Sequence, residues 1–169
     1  MGIVLDSTVL IAAERAGKNP RKVIQEIAAV LGDTEAALSV VSIVELAHGI
    51  ERANTAERRA ARELFINELL TAITPEPVTA AIAFRAGRLD GGPQAAGIRI
   101  ALGDLLIGAA AVELGYGVVT HNVRHFQTIP NLVVKQLYWW SSSCRGPIAA
   151  LLAPARRHHP PLAPVRANP

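Results

Sequence analysis

At 169 residues the chain falls within the usual size of a single domain and is long enough to bury a continuous core without a staple. Half of its residues are hydrophobic but only 4% are aromatic, so the core must be built from Ala, Val, Leu and Ile; the lone cysteine, Cys144, excludes an internal disulfide and points to a reducing compartment. The formal charge of +3 is no argument for nucleic-acid binding by the body of the chain, because residues 1–137 hold 13 basic and 14 acidic side chains while 138–169 hold four arginines and no acid.

The opening stretch, GIVLDSTVLIAAER, has no basic leader, and Asp6 interrupts its apolar run, so it does not read as a secretory signal. Ile3–Leu5 reads as a buried strand that delivers Asp6 into a second apolar run, Val9-Leu10-Ile11. A carboxylate there either caps the next helix or holds something positive. Asn19-Pro20 supplies a helix cap and a first helical proline, and Val23, Ile27, Val30 and Leu31 form an apolar stripe that stops at Gly32.

A second short strand is expected at 37–40, followed by a helical pair at 42–53 and 57–70, the latter with Ala61, Phe65 and Leu69 on one face and Arg58, Arg62 and Glu63 around it. The stretch 77–89 reads as another helix, closed by Asp90-Gly91-Gly92-Pro93. Residues 103–115 read as a helix that is apolar nearly all round, hence buried, and ended by Gly115 or Gly117. Strands at 116–120 and 132–136 complete the alternation. The apolar run LLIGAAAV at 105–112 is far shorter than the roughly 20 residues a bilayer span needs, so a cytoplasmic protein without membrane association is expected.

From 138 onward the composition changes: six of the eleven prolines, both tryptophans and the cysteine stand there, with no Asp, Glu or Lys. The expected organisation is a domain over 1–137 and a disordered Pro/Arg-rich extension over 138–169, in which His158 and His159 have no metal-ligating neighbours. The alternation within 1–137 predicts an α/β fold, a three-layer α/β/α sandwich with a mainly parallel central sheet. Ligands in such folds bind beyond the carboxyl ends of the strands.

Polar residues at the junctions of strand ends and helix starts are therefore the candidates for chemistry. They are Asp6, Glu45, Asp104, and the run Thr120-His121-Asn122. Each has an ordinary structural reading: Asp6 or Ser7 as an N-cap, Ser42-x-x-Glu45 as a capping box, Asp104 as a complement to a helix dipole, Asn122 as a turn cap. If the three acids meet at one edge, their repulsion demands a cation, and oxygen-only ligands suit Mg²⁺ or Mn²⁺ rather than zinc. A receiver-type acid pair and lysine are missing, since no lysine stands between Lys22 and Lys135, and neither glycine-rich nucleotide loop follows any strand.

The segments IVLDSTVLIAAE, SIVELAHGI, LGDLLIGAAA and VVTHNVRHF, in this order, resemble the signature segments of PIN-domain ribonucleases, specifically the VapC-type toxins of bacterial toxin-antitoxin pairs, over residues 2–137. By that resemblance Asp6, Glu45 and Asp104 match the acids that hold the metal, Ser7 the small hydroxyl residue beside the first acid, and Thr120 the hydroxyl before the fourth position. Asn122 matches a position that many relatives fill with Asp; its amide oxygen would accept from metal-bound water or ligate directly, without adding charge. His125 nearby reads as a helix-surface residue rather than a base.

The implied activity is metal-assisted hydrolysis of RNA phosphodiesters, with Ser7 orienting Asp6 or a metal-bound water and Arg85, Arg88, Arg99 and Arg124 as candidate contacts to the RNA backbone. The resemblance further implies a homodimer held inactive by a cognate antitoxin, possibly as a toxin-antitoxin hetero-oligomer, with a groove on the helical pair at 42–70 as the docking place. A catalytically weak module that binds RNA or protein stands as the alternative, because Asn122 brings no charge.

Overall fold

A computed structural model describes residues 2–32, 34–95 and 97–137; the expected extension, 138–169, lies outside the described residues. Five strands, β1 (Ile3–Leu5), β2 (Ala36–Ser39), β3 (Pro75–Glu76), β4 (Gly117–Val119) and β5 (Val134–Lys135), form one sheet in the order β3-β2-β1-β4-β5. Every neighbouring pair is parallel. The helices are α1 (Ser7–Arg15), α2 (Pro20–Leu31), α3 (Val40–Glu51), α4 (Ala56–Ala72), α5 (Ala80–Ala95), α6 (Leu102–Leu114) and α7 (Val123–Phe126).

Alternation along β1 separates the two cores. Ile3 and Leu5 face the side covered by α1 to α4, where Val9, Leu10, Val23, Ile27, Phe65 and Leu69 pack with Leu38 and Val119. Val4 faces the other side, where Ile82, Ile107, Ala110 and Phe126 pack with Ala37 and Val118. Strands buried on both faces are the parallel-sheet pattern, and the three-layer sandwich follows from it.

The register aligns Leu5 with Leu38 on one side and with Val119 on the other, so β1, β2 and β4 finish level. Asp6 N–H then donates to the Val119 carbonyl at 3.0 Å. Leu5, Leu38 and Val119 are completely buried, and each such side chain contributes about 1.5–3 kcal/mol. The strand ends are thus fixed by the core, independently of the polar groups they carry.

Local differences from the sequence reading have physical causes. Helix α3 starts at Val40, capped by Ser39, whose hydroxyl accepts from Val41 N–H; Ser42 therefore lies inside the helix and donates to the Leu5 carbonyl at 3.2 Å instead of forming a capping box with Glu45. Helix α5 starts after Thr79, whose hydroxyl accepts from Ile82 N–H, and continues to Ala95 through the stretch expected to end it. It packs along α6, and that tertiary contact outweighs the weak propensity of its last turn. Strand β3 was not expected, because Pro-Glu-Pro reads as a turn; it is an edge strand, where a proline costs no ladder bond. Gly115 ends α6 in the left-handed conformation, φ 70°. None of the described helices is long and apolar enough to cross a membrane.

Candidate active site

Because every strand is parallel, each helix that leads into a strand begins at the carboxyl edge of the sheet. Five segments therefore converge there: the residues after β1, the start of α3 after β2, the first turn of α6, the residues after β4, and the start of α7. They carry Asp6, Glu45, Asp104, Thr120 and Asn122. The edge lies between β1 and β4 on opposite sides of the point where the strand order reverses, where open α/β sheets place their ligands.

Asp6 is 1% exposed and occupies the N-cap position of α1, yet its side chain makes no capping bond. Its Oδ2 accepts from Thr8 Oγ1 at 2.5 Å and from Thr120 Oγ1 at 2.6 Å. The same two hydroxyls are themselves anchored, Thr8 Oγ1 accepting from His121 N–H at 3.1 Å and Thr120 Oγ1 from Asn122 N–H at 2.8 Å. The backbone after β4 is thereby tied to the first turn of α1. His121 itself turns away, its Nε2–H donating to the Leu137 carbonyl at 2.9 Å.

Glu45 stands half-buried on α3 and accepts through Oε2 from Ser7 Oγ at 2.5 Å. Ser7 thus orients Glu45, not Asp6 as the sequence reading expected. The other Glu45 oxygen, Oε1, lies against Gly103: a Cβ there would come within 2.9 Å of it, so a larger residue would push the Glu45 carboxylate from its present position. Asp104, in that turn, is 8% exposed. Its Oδ2 accepts from Asn122 Nδ2 at 2.9 Å and from His125 Nδ1 at 2.6 Å. Asn122 therefore donates its amide nitrogen to a carboxylate, because a carboxylate oxygen at that distance repels an amide oxygen and attracts an N–H; its own amide oxygen keeps its acceptor capacity.

Burial is the main force raising the Glu45 carboxyl above its ordinary range, opposed by the Ser7 hydrogen bond and reinforced by the charges of Asp6 and Asp104. Asp104 is raised by burial first, with the His125 hydrogen bond working against it and the Asp6 charge adding to it. The three acids therefore share one electrostatic site.

In each carboxylate the protein holds one oxygen and leaves the other. Asp6 Oδ1, Glu45 Oε1 and Asp104 Oδ1 accept no hydrogen bond from any described residue. For a residue as buried as Asp6, an acceptor without a donor is costly. Hard oxygen donors of this kind suit a divalent cation such as Mg²⁺ or Mn²⁺. As the side chains stand, no three of the Asp, Glu, His and Cys groups among the described residues close around one point. Asp6 and Asp104 are each pinned by two donors, so Glu45, the longest of the three with a single hydroxyl partner, is the least constrained.

The four candidate arginines part company. Arg85 is ion-paired with Glu113, at the far end of α6 and about 13 Å along that helix from Asp104, so it does not belong to the site. Arg88 lies over the Phe84 ring, 5.6 Å from its centre. Arg99, between α5 and α6, and Arg124, on α7 beside the site, are exposed and have no ion pair among the described residues. Thr8 was missed in the sequence, where only its place two residues after Asp6 on the first helical turn marked it; His125 was read as surface, although its spacing of three from Asn122 puts both on one side of α7.

A cavity of about 300 Å³ opens beside Glu45, between α1, α3 and α4, lined by Ile11, Leu46, Phe65 and Ile66 with Glu14 and Arg62 at its wall. These last two form an ion pair at 3.8 Å.

Residues 3–132 match the PIN domain family. The chain is 36% identical over 130 residues to ribonuclease VapC10 of Mycobacterium tuberculosis, covering 77% of this chain and 90% of that one. Among solved structures it is similar to VapBC-5, a member of the VapBC family of toxin-antitoxin systems from M. tuberculosis, with a TM-score of 0.63 and 25% identity over 82% of this chain and all of that one. It shares the fold of VapBC2 from Rickettsia felis bound to a promoter DNA fragment, with a TM-score of 0.70 and 20% identity over 82% of this chain and all of that one.

Proposed function

The chain belongs to the PIN domain family in its VapC branch, and from that premise we propose that it is a metal-dependent endoribonuclease toxin neutralised by a cognate antitoxin. The observation that carries this reading is the split role of the three carboxylates, one oxygen of each held by a protein donor and the other left free at a common edge. Asp6, Glu45 and Asp104 would hold one Mg²⁺ or Mn²⁺ ion. When bound, the ion supplies an acidified water and charge stabilisation on the phosphate oxygens.

The protein's own contribution is placement. Thr8 and Thr120 fix Asp6, Ser7 fixes Glu45, and Asn122 and His125 fix Asp104, so that the free oxygens face the substrate phosphate and not each other's hydrogen-bond donors. Arg124 and Arg99, without an ion pair among the described residues, would offer positive charge to the RNA backbone; Arg88 is a further candidate, and Arg85 is committed to Glu113.

The cavity beside Glu45, walled by α1, α3 and α4, supports a docking groove on the helical pair, and an apolar antitoxin segment carrying a charged residue would fit its lining. Relatives in complexes named as toxin-antitoxin systems support such a partner, alone or in a hetero-oligomer with a toxin homodimer.

Purified chain incubated with RNA, with Mg²⁺ or Mn²⁺ and then with EDTA, tests the activity. Cleavage that EDTA and Asp6→Ala both abolish supports the nuclease. Binding without cleavage in either metal overturns it and leaves the RNA- or protein-binding module.

A further inference from the structure

His125 is the residue at the carboxyl edge whose role neither composition nor the matched segments assign. Its Nδ1 lies 2.6 Å from Asp104 Oδ2 and 2.9 Å from Asn122 Nδ2, and Asn122 Nδ2 lies 2.9 Å from the same Asp104 oxygen. Three polar atoms thus meet in a triangle, and a neutral imidazole nitrogen is either donor or acceptor, not both.

Only one assignment is free of repulsion. If Nδ1 carried the lone pair, it would accept from Asn122, but it would also face a carboxylate oxygen at 2.6 Å, acceptor against acceptor. If Nδ1 carries the proton, it donates to Asp104 Oδ2 at a distance proper to a charge-assisted bond, and Asn122 donates to the same oxygen from the other side. The Asn122–His125 separation is then a consequence of two donors sharing one acceptor.

We infer that His125 is a positioning residue for metal binding: as the Nδ1–H tautomer it locks Asp104 Oδ2, together with Asn122, and so turns Oδ1 toward Asp6 and Glu45. This inference rests on the reading of the three acids as ion ligands. The local structure supports it, since α7 is a single turn that begins at the end of the Thr120-His121-Asn122 run, and Asn122 N–H is itself held by Thr120 Oγ1, which also holds Asp6. One hydroxyl therefore links the positioning of Asp6 to that of Asp104. Both residues approach Asp104 as donors. A carboxylate at either place would set acceptor against acceptor and add a fourth negative charge to the three already there.

The test uses the full chain and Mn²⁺ as probe. Nitrogen-15 NMR of the wild-type protein should show the His125 imidazole carrying a proton on Nδ1. His125→Ala should weaken Mn²⁺ binding about 10–100-fold, as loss of a group that orients a metal ligand does, and lower kcat with little change in KM for RNA. His125→Asn, whose amide nitrogen falls where Nδ1 stood, should recover most of the affinity. An Nδ1 found without a proton, unchanged Mn²⁺ affinity in His125→Ala, or failure of His125→Asn to recover it would each overturn the inference. Asp6→Ala separates the two levels: if it abolishes Mn²⁺ binding while His125→Ala binds normally, only the role of His125 fails, and if Asp6→Ala binds Mn²⁺ as tightly as wild type, the ion-binding reading fails with it.

Discussion

At the amino edge of the sheet, half-buried Tyr116 donates to exposed Glu35 across the entrances of β2 and β4, and Arg85 pairs with Glu113 at the end of α6, both exposed. At the carboxyl edge Asp6 and Asp104 are buried, Glu45 is half-buried, and hydroxyl and amide groups stand where a cation would relieve them. The same strands and the same helices end in both places. One edge solves its charge problem with solvent and neighbours, and the other keeps it. Desolvated acids that repel one another lower stability, and sites that keep such a cost are commonly functional ones, which is the ground for the ion-binding proposal.

Mutations at the two edges should separate by orders of magnitude. Asp6→Ala, Glu45→Ala or Asp104→Ala should each reduce RNA cleavage by more than ~100-fold, beyond the loss typical of groups that only orient a ligand. Gel assays with a defined RNA, with circular dichroism confirming the fold, read this out; a variant with near wild-type cleavage would remove that acid from the site. Next in size are Thr8→Val and Thr120→Val, each expected to weaken Mn²⁺ affinity about 10–100-fold by calorimetry, with Thr120→Val the more severe because its hydroxyl serves both Asp6 and Asn122.

Asp104→Asn sharpens the comparison from the side of stability. The folded protein holds the Asp104 carboxyl above its ordinary range, so it binds that proton more tightly than the unfolded chain does. The contribution of this group to stability is therefore most favourable at low pH and declines as pH rises from the ordinary carboxylate range through the raised value. A neutral amide escapes that penalty. The metal-free variant should melt about 1–2 °C higher than wild type at neutral pH, the gain vanishing below the ordinary carboxylate range, while cleavage is lost. A lower melting point at neutral pH would contradict it. At the amino edge, Arg85→Ala should change stability by no more than about 0.5 kcal/mol and leave cleavage intact, since the pair it removes is exposed.

How much of this was legible depends on the reach of each signal. Asp6, Glu45 and Asp104 stood out because each follows a strand or opens a helix that leads into one, and parallel connectivity sends such residues to one edge. Strand β3 was hidden because Pro75-Glu76 becomes a strand only through its neighbour β2. The extension of α5 beyond Asp90 depends on α6 in the same way. Within the site, the sequence reading had the acids but not their partners. Ser7 belongs to Glu45, 38 residues away, and His125 to Asp104, 21 residues away, pairings that no local periodicity encodes. The partner of the Asn122 amide nitrogen was hidden for the same reason, being an oxygen on another helix.

The central claim is that three distant acids share one divalent ion through the oxygens the protein leaves free. Anomalous diffraction from crystals of the chain soaked in Mn²⁺ tests it most directly. The account predicts a single strong peak at the carboxyl edge, within ligating distance of Asp6 Oδ1 and Asp104 Oδ1, with Glu45 closing through Oε1. A peak elsewhere, or none at Mn²⁺ concentrations that support cleavage, would contradict it.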